Sequence, residues 1–428
     1  MSESRLTSVN EHCLDNVMKL AQAARVTTSE DVYDAHGTKL VAKGADITPA
    51  MKEKLVHHKL RKPLETSLSV VDGMTAATVL DEAKRLLDEM PVLKVFMGDK
   101  QVSIFETLSH ITLHPVAALL LTVAEKSREG VFRHGVLVSL ISVSLGAHQK
   151  LAHNERVMLA LAGLLHDIGE LYIHPDYLDT RRSLKPEEWK HVAAHPRIGQ
   201  IVLDELTDYP RSVVDAVAAH HERLDGSGYP RQLAGDQIGM AAHILSMAET
   251  LSGIVVNSDD VLVRSCLALK CVPGEHPSNL VSVFSRLRRN YDGVPLSNQA
   301  TEGHTASKTV EVVKTLRQAM AECEKIAEMP TMPPGAANFL QRSRKRLDSL
   351  KQALKATGIE ICLENGYMSA FSQEDQEIFL EIDVVGQEIG WRLRDIARDL
   401  YLHLSETAPD AIPAFTPLIE TLNNPMNS

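Results

Sequence analysis

Apolar positions recur at intervals of three and four residues over most of the chain from residue 75 onward, which predicts a mainly α-helical protein. Clear periods cover 76–90, 135–145 and 156–165. Breaks fall at Gly169, at 174–175, at 208–210 and at 225–230, where glycine, proline and polar residues gather. The pattern therefore predicts helices that end close to several histidines.

The first 72 residues have a different pattern and predict a small separate α+β unit. Short apolar runs on both sides of Gly37 predict two strands within 32–41. Thr48 and Pro49 have the residue types of an N-cap and a first helical position, so a helix is expected to begin there. A sensor, a dimer contact and a cap on the main domain are all compatible with this pattern.

Towards the C-terminus the apolar period is lost at 290–307, and this stretch predicts a surface loop or domain boundary. Helices are then expected at about 307–327, 337–357 and 373–404, with a proline-rich interruption at 329–335. The tail from Ala408 is expected to be mobile. Three regions follow: residues 1–72, a helical domain at 75–290, and a helical region at 305–428.

Composition narrows the function classes. The formal net charge is −11, which argues against long nucleic acid as a partner. Five scattered cysteines without a CxxC spacing predict reduced thiols, and the N-terminus lacks a signal-peptide core. The apolar runs at 115–124 and 157–165 are too short to span a bilayer. We expect a cytoplasmic protein without membrane insertion.

Histidines in apolar helical settings are the main candidates for chemistry. A lone histidine of this kind usually packs in a core, whereas a series with neighbouring carboxylates favours a site for iron, manganese, zinc or nickel. Adjacent helical side chains diverge by about 100°. An adjacent His-Asp pair therefore suits a carboxylate that bridges two metals, with the histidine on one of them. The series is His134, His166, Asp167, His195, His220 and His221.

The stretch after the last two histidines, Glu222-Arg223-Leu224-Asp225-Gly226-Ser227-Gly228-Tyr229-Pro230, predicts a tight loop because its glycines supply backbone freedom. Such a loop could border a ligand cleft, or it could be a plain turn between helices. Glu222 and Arg223 could support the metal ligands, or form a surface pair.

These motifs resemble the HD-GYP branch of the HD superfamily. The resemblance rests on Leu165-His166-Asp167-Ile168-Gly169, on His195-Pro196 and on the HHERxDGxGYP string at 220–230, within about 105–290. It implies an HD-superfamily helical bundle core with a metal centre, commonly iron or manganese. It also implies hydrolysis of cyclic di-GMP to pGpG or GMP. Six positions match the family's metal ligands: His134, His166, Asp167, His195, His220 and His221.

Several positions depart from the family pattern. Glu170 stands where the family has a lysine that contacts the substrate phosphate, and Glu249 stands at the last metal ligand, usually Asp. The family's basic patch is replaced by 257–260, with Arg264 nearby. Gly130, beside Glu129, occupies the position of an acidic ligand for a third metal. We therefore expect two metals, with Glu249 among their ligands.

The enzyme hypothesis assigns Asp167 and His166 to catalysis, with a metal-bound hydroxide as the nucleophile. Its expected substrate contacts are Arg197, Arg223, Lys185, Gly228 and Tyr229. Arg231 is a further candidate cation.

Two alternatives stay open. One is a receptor that keeps the metal site and binds cyclic dinucleotides with weak or no turnover. The other is a phosphohydrolase for another nucleotide. The C-terminal helices, including 386–393, could pair in a homodimer or pack only within their own domain.

Overall fold

The structure is a computed structural model. It describes residues 6, 8–179, 181–182, 184–257, 261–289, 304–329, 332, 335–357 and 376–423. These residues form two units. The first unit contains the described residues within 1–181 and 191–256, and the second contains those within 182–190 and 257–428.

Helices dominate both units, as the apolar period predicts. The α-helices are α1 (Glu11–Ala23), α2 (Lys52–Val56), α3 (Ala76–Glu89), α4 (Val92–Met97), α5 (Gln101–Ser109), α6 (Pro115–Ser127), α7 (Val131–His148), α8 (His153–Leu165), α9 (Pro186–Ala193), α10 (His195–Leu206), α11 (Arg211–Ala218), α12 (Met240–Asn257), α13 (Val261–Cys271), α14 (Ser278–Arg289), α15 (His304–Ala327), α16 (Ala336–Thr357), α17 (Gln376–Thr407) and α18 (Ile412–Asn423). The predicted α-helical fold class is confirmed.

Four short strands lie in the N-terminal segment. They are β1 (Val26–Thr28), β2 (Val32–Tyr33), β3 (Lys39–Val41) and β4 (Leu68–Val70). β1 pairs antiparallel with β4, and β2 pairs antiparallel with β3. Asp34 stabilises the β2–β3 turn by accepting the amides of His36 and Thr38 at 2.9 and 2.7 Å. The predicted pair of strands is thus present. The predicted helix at Pro49 begins as a 3-10 turn, Pro49–Met51, which Thr48 does not cap through its side chain.

The centre of the first unit is the pair α7 and α8. Their backbones lie close together because small residues line the contact. A methyl group on Gly163 would lie 2.8 Å from the Ser139 Cα, and one on Gly135 would lie 2.9 Å from the Leu164 carbonyl oxygen. The hydroxyl of Ser139 donates to the Ala160 carbonyl at 2.6 Å. This close approach brings the start of α7 next to the end of α8.

Helix α7 is longer than the predicted apolar period at 135–145. It runs from Val131 to His148, and by length and composition alone it could cross a membrane. In the structure 78% of this stretch is buried within the protein. Its apolar character is therefore accounted for by core packing.

The second unit is a set of long helices with its own apolar core, formed mainly by α15, α16, α17 and α18. Buried ion pairs lie within it, including Arg392 with Glu275 at 2.5 Å. The prediction of a mobile tail from Ala408 is wrong up to Asn423. Phe415, Leu418 and Leu422 repeat at helical spacing, and all three are fully buried in this core.

The structure divides the chain differently from the three predicted regions. Residues 8–72 lie in the same unit as the central helices, and residues 261–289 lie in the unit of the C-terminal helices. Most of the predicted boundary at 290–307 lies outside the described residues.

Candidate metal centre

Helix ends bring seven predicted metal ligands together in the first unit. His134 lies in the first turn of α7, and His166 and Asp167 follow the last residue of α8. His195 begins α10, and His220 and His221 follow the C-cap residue of α11, Ala219. Glu249 lies within α12. Because most of these residues sit at helix termini, their side chains can converge on one point from several helices.

The first half of the cluster contains His134, His166, Asp167 and Glu249. Oδ2 of Asp167 lies 3.1 Å from Nε2 of His166 and 3.7 Å from Nε2 of His134. Oε2 of Glu249 lies 3.2 and 3.1 Å from the same two nitrogens. Two imidazoles and two carboxylates therefore face one small volume. Glu249 reaches this volume although its side chain is one methylene longer than aspartate.

The second half contains His195, His220 and His221 together with the other oxygen of Asp167. Oδ1 of Asp167 lies 3.3 Å from Nε2 of His195 and 3.7 Å from Nε2 of His220. One ligand atom from each of these four residues lies within 4.8 Å of every other. Asp167 thus turns one oxygen to each half of the cluster.

Backbone carbonyls fix the orientation of three imidazoles. Nδ1 of His166, His195 and His220 lies 2.6 to 2.7 Å from the carbonyl oxygen three residues earlier in the chain. A carbonyl can only accept, so each Nδ1 carries the proton. In the neutral ring this leaves the Nε2 lone pair directed into the cluster, which is the arrangement of a metal-binding histidine.

One short contact indicates that the cluster needs positive charge. Nε2 of His195 lies 3.0 Å from Nε2 of His220, and both rings carry a proton on Nδ1. In the neutral rings two lone pairs face each other at this distance, and they repel unless a cation lies between them. Oε2 of Glu249 is buried and meets no donor at hydrogen-bonding geometry among the described residues. The residues therefore fit divalent metal ions.

The pKa shifts agree with this requirement. Burial alone would lower the pKa of His166, but the carboxylates of Asp167 and Glu249 outweigh it and hold that pKa well above the ordinary value. Burial would raise the pKa of Asp167, yet the charge of His166 keeps it well below its usual range. In the second half, burial lowers the pKa of His220 to about 4, so this ring stays neutral and ready to bind a cation.

The loop after the His-His pair is held by a buried carboxylate. Glu222 is fully buried and accepts the amides of Arg231 and Leu233 at 2.8 and 2.9 Å. A methyl group on Gly228 would overlap the backbone from His221 to Arg223, so this close approach requires glycine. The ring of Tyr229 stacks on His221 at 4.5 Å. Two hypotheses were considered for Glu222. Support of the candidate metal ligands agrees with this geometry, whereas a surface pair with Arg223 does not.

The five predicted substrate contacts differ in how they lie relative to the cluster and in which unit they belong to. Gly228 and Tyr229 pack against the histidine pair, and the buried guanidinium of Arg223 donates to Ser246 and Thr250 of α12. Arg197 is exposed on α10 and donates to Gln200. Lys185 belongs to the second unit, whereas the candidate metal ligands belong to the first.

The 3-10 turn Ile168–Tyr172 connects the cluster to the N-terminal segment. A methyl group on Gly169 would overlap the carbonyl oxygen of His195, so the turn packs directly on the start of α10. From the other side, Asn16 of α1 donates to the Leu171 carbonyl at 3.2 Å. The turn that follows Asp167 is thus held between α10 and α1.

A cleft of about 800 Å³ opens beside the cluster. His134 and Asp167 line it together with Glu170, whose carboxylate forms an ion pair with Arg128 at the end of α6. Lys19 of α1 lines it as well. Sequence reasoning missed Lys19 and Arg128, because residues 100 or more positions apart meet here and no local pattern marks the contact.

Comparison with known proteins finds a family model that matches the region of this cluster. Residues 118–258 match the HD domain family, and this range contains all seven predicted ligands. The chain therefore carries an HD domain, the kind of domain that the sequence resemblance indicated. The HD domain and the His/Asp clusters together imply binding of divalent metal ions.

Curated relatives each match about a third of the chain or less. A cyclic di-GMP phosphodiesterase of Pseudomonas aeruginosa is 32% identical over 149 residues, 35% of this chain and 36% of that protein. The 3'3'-cGAMP-specific phosphodiesterase 3 of Vibrio cholerae is 31% identical over 121 residues, 28% and 26% of the two chains. The cyclic di-GMP phosphodiesterase PdeB of Borreliella burgdorferi is 29% identical over 124 residues, 29% and 32%. This chain thus covers no more than 36% of the length of these three relatives.

Proposed function

We propose that this protein is a metal-dependent phosphodiesterase that hydrolyses cyclic di-GMP to pGpG or GMP. One observation carries the proposal: Asp167 turns an oxygen to each of two imidazole groups at the wall of an open cleft. Two metals that share a carboxylate can hold a phosphodiester between them. The curated relatives named above support a cyclic dinucleotide as the substrate class.

The chain offers ligands for two divalent ions, which we propose to be iron or manganese. His134, His166, Asp167 and Glu249 would hold one, and Asp167, His195, His220 and His221 would hold the other. Bound there, the ions supply Lewis-acid stabilisation of the phosphate oxygens and lower the pKa of a water.

The remaining chemistry belongs to side chains of this protein. The carbonyls of Gly163, Val192 and Val217 hold the protons of three imidazoles on Nδ1, so that Nε2 faces the reaction centre. Asp167 keeps a fixed negative charge, because the pKa of its carboxyl is held well below the usual range. The proposed roles of Asp167 and His166 in catalysis are therefore to bind and orient, at the wall of the cleft that receives the substrate.

The test is metal analysis of anaerobically purified protein, coupled to a turnover assay with cyclic di-GMP. We expect about two equivalents of iron or manganese and formation of pGpG or GMP. Intact cyclic di-GMP after incubation with metal-loaded protein contradicts the proposed reaction. Parallel incubations with 3'3'-cGAMP, cyclic mononucleotides and nucleoside monophosphates separate this substrate from the other nucleotides considered above.

A second candidate is a receptor that binds a cyclic dinucleotide without hydrolysing it. Four acidic side chains other than the bridging Asp167 line the cleft, namely Glu129, Glu170, Asp176 and Asp179. Their charge opposes that of a phosphodiester. Calorimetric binding without turnover supports the receptor, whereas turnover of many equivalents contradicts it.

Three further expectations stay predictions. They are a cytoplasmic location, a homodimer formed through helices, and substrate contacts by Arg197 and Lys185. Size measurement by light scattering tests the second of these.

A further inference from the structure

The cleft beside the metal cluster is lined by parts of the chain that lie far apart in sequence. Its walls come from α1, from the α6–α7 connection, from the turn after Asp167 and from residues 173–181. The cluster itself contributes His134 and Asp167. A molecule in this cleft therefore contacts the candidate metal ligands and the surrounding walls together.

Arg128 is a cation of this cleft whose carboxylate partner is largely buried. Its Nη2 donates to the carboxylate of Glu170, three residues after Asp167. The Glu170 side chain is 16% exposed, whereas that of Arg128 is 41% exposed. A guanidinium has five N–H donors in a fixed plane, so a buried carboxylate can orient it from one side while its other donors stay accessible.

The other two cations of the cleft are held differently. Arg181 has an 88% exposed side chain, and its Nε and Nη2 donate to Asp179 at 2.8 and 2.7 Å. Lys19 donates to Asn16 of its own helix at 3.4 Å. Neither is paired with a carboxylate as little exposed as that of Glu170, since the side chain of Asp179 is 32% exposed.

We propose that Arg128, positioned by Glu170, binds a phosphate group of the nucleotide that occupies this cleft. Planar, bidentate contact with phosphate is the chemistry for which arginine is suited. Glu170 has a positioning role: it fixes the guanidinium against the wall beside the metal ligands. This inference rests on the proposed phosphodiesterase function and names the residue pair that would recognise the substrate's charge.

The experiment compares Arg128→Ala and Arg128→Lys in the full chain, with Lys126→Ala as the matched control. Lys126 is exposed two residues earlier on the same helix, and it does not line the cleft. The readouts are KM and kcat for cyclic di-GMP, and its Kd by calorimetry after chelation of the metals.

Arg128→Ala should raise KM and Kd about 10- to 100-fold, the loss of one charge-assisted contact, and should change kcat less than about threefold. Arg128→Lys should recover part of the affinity, because a point charge without the fork remains. Lys126→Ala should leave all three quantities unchanged. An Arg128→Ala protein with the melting temperature, KM and Kd of the wild type overturns the proposal.

Glu170→Gln tests the positioning role through the direction of the change. Removing a negative charge from the cleft should tighten binding of an anion if only the overall field matters. If Glu170 instead orients Arg128, the Kd should rise about three- to tenfold, and the double variant with Arg128→Ala should be no worse than Arg128→Ala alone. Tighter binding by Glu170→Gln overturns the positioning role.

The outcomes separate this inference from the proposed function. Normal turnover with an unaffected Arg128→Ala variant overturns the inference alone. Absence of turnover in the wild type overturns the proposed reaction, while the calorimetric comparison still reports on Arg128. A wild-type chain that neither binds nor hydrolyses cyclic di-GMP overturns both.

Discussion

The Asp167 carboxylate lies between two sets of imidazole nitrogens, with Oδ2 3.1 Å from His166 and Oδ1 3.3 Å from His195. At the scale of the residue, this placement depends on the backbone just before and after it. His166 is fixed by the Gly163 carbonyl, and Gly169 lets the following turn lie against His195. The position of one carboxylate is therefore set by contacts on both sides.

Asp167→Asn tests the importance of this carboxylate. The amide keeps the shape but loses the negative charge that would offset the two proposed cations, so metal content should fall below one equivalent. kcat should fall by about a thousandfold or more, because metal stabilisation of the phosphate oxygens is worth several kcal/mol. Metal analysis and steady-state kinetics measure the two effects. The control is Asp88→Asn at an exposed position of α3, and full metal content in the Asp167 variant would contradict the assignment.

Gly169→Ala tests the packing of the turn. The added methyl group would overlap the His195 carbonyl, so we expect a loss of about 2–3 kcal/mol in the free energy of unfolding. Metal affinity should fall with it, since His195 and Asp167 are pushed apart. Denaturant titration and metal analysis measure these changes. Gly239→Ala is the matched control because no atom lies within 4 Å of its added methyl group, and equal stability of the two variants would argue against the close contact.

Much of the cluster could be predicted from the sequence, since histidines beside apolar helical runs are conspicuous. The sequence also indicated that Glu249 would replace an aspartate, and the structure places it 3.1 Å from His134. For Glu170, the sequence indicated only that a glutamate replaces the family's phosphate-contacting lysine. Its partner Arg128 lies 42 residues earlier, and a single sequence holds no sign that α6 ends at this point of the cleft.

At the scale of the element, the N-terminal helix α1 is joined to the turn Ile168–Tyr172 by polar contacts. Asn10 and Asn16 donate to the carbonyls of Tyr172 and Leu171 at 3.3 and 3.2 Å. The hydroxyl of Tyr172 donates to the buried carboxylate of Glu65 at 2.8 Å. Of the three roles considered for the N-terminal segment, a cap on the main domain agrees best with these contacts.

Glu65→Gln tests this connection through pH. Burial raises the pKa of Glu65 above its ordinary value of 4.5, so above that pH the folded protein holds a proton that the unfolded chain releases. The stability of the wild type therefore declines as pH rises through this window. The glutamine variant lacks this decline, so its melting temperature should rise relative to that of the wild type as the pH increases above 4.5.

The control for this measurement is Glu53→Gln, which changes an exposed glutamate of α2. Its melting temperature should follow that of the wild type at every pH. Parallel curves for the Glu65 variant and the wild type would show that Glu65 is charged in the folded protein.

Helices were predicted well where the apolar period is long, and poorly where prolines interrupt the period. Pro409, Pro413 and Pro417 suggested a mobile tail, yet α18 begins at Ile412 and contains Pro417. Pro413 is tolerated because the first turn of a helix needs no amide donor there. Burial of one apolar face of α18 outweighs the interruption at Pro417, and such tertiary packing is not visible in local propensity.

At the scale of the whole molecule, the candidate ligands and the cleft all belong to the first unit. Metal bound to the folded state stabilises it by mass action, by about 2.7 kcal/mol when the free metal is one hundred times the Kd. Chelation should therefore lower the melting temperature of this unit by about 5–10 °C.

Calorimetric scans with and without chelator measure this shift. The transition of the C-terminal helices should move less, because their core is formed by apolar side chains of α15 to α18. Excess iron or manganese added back should restore the original profile. Identical scans in the presence and absence of chelator would contradict a metal centre in the first unit.

Because Asp167 faces both halves of the cluster, two ions bound there would not be bound independently. An ion in one half would order Asp167 for the other half and would share its negative charge. A metal ion in one half of the cluster should therefore raise or lower the affinity of the other half for its own ion. If a cell limits the supply of the metal, the activity of this protein would depend on the fraction of centres that hold both ions. The amount of protein alone would not determine it.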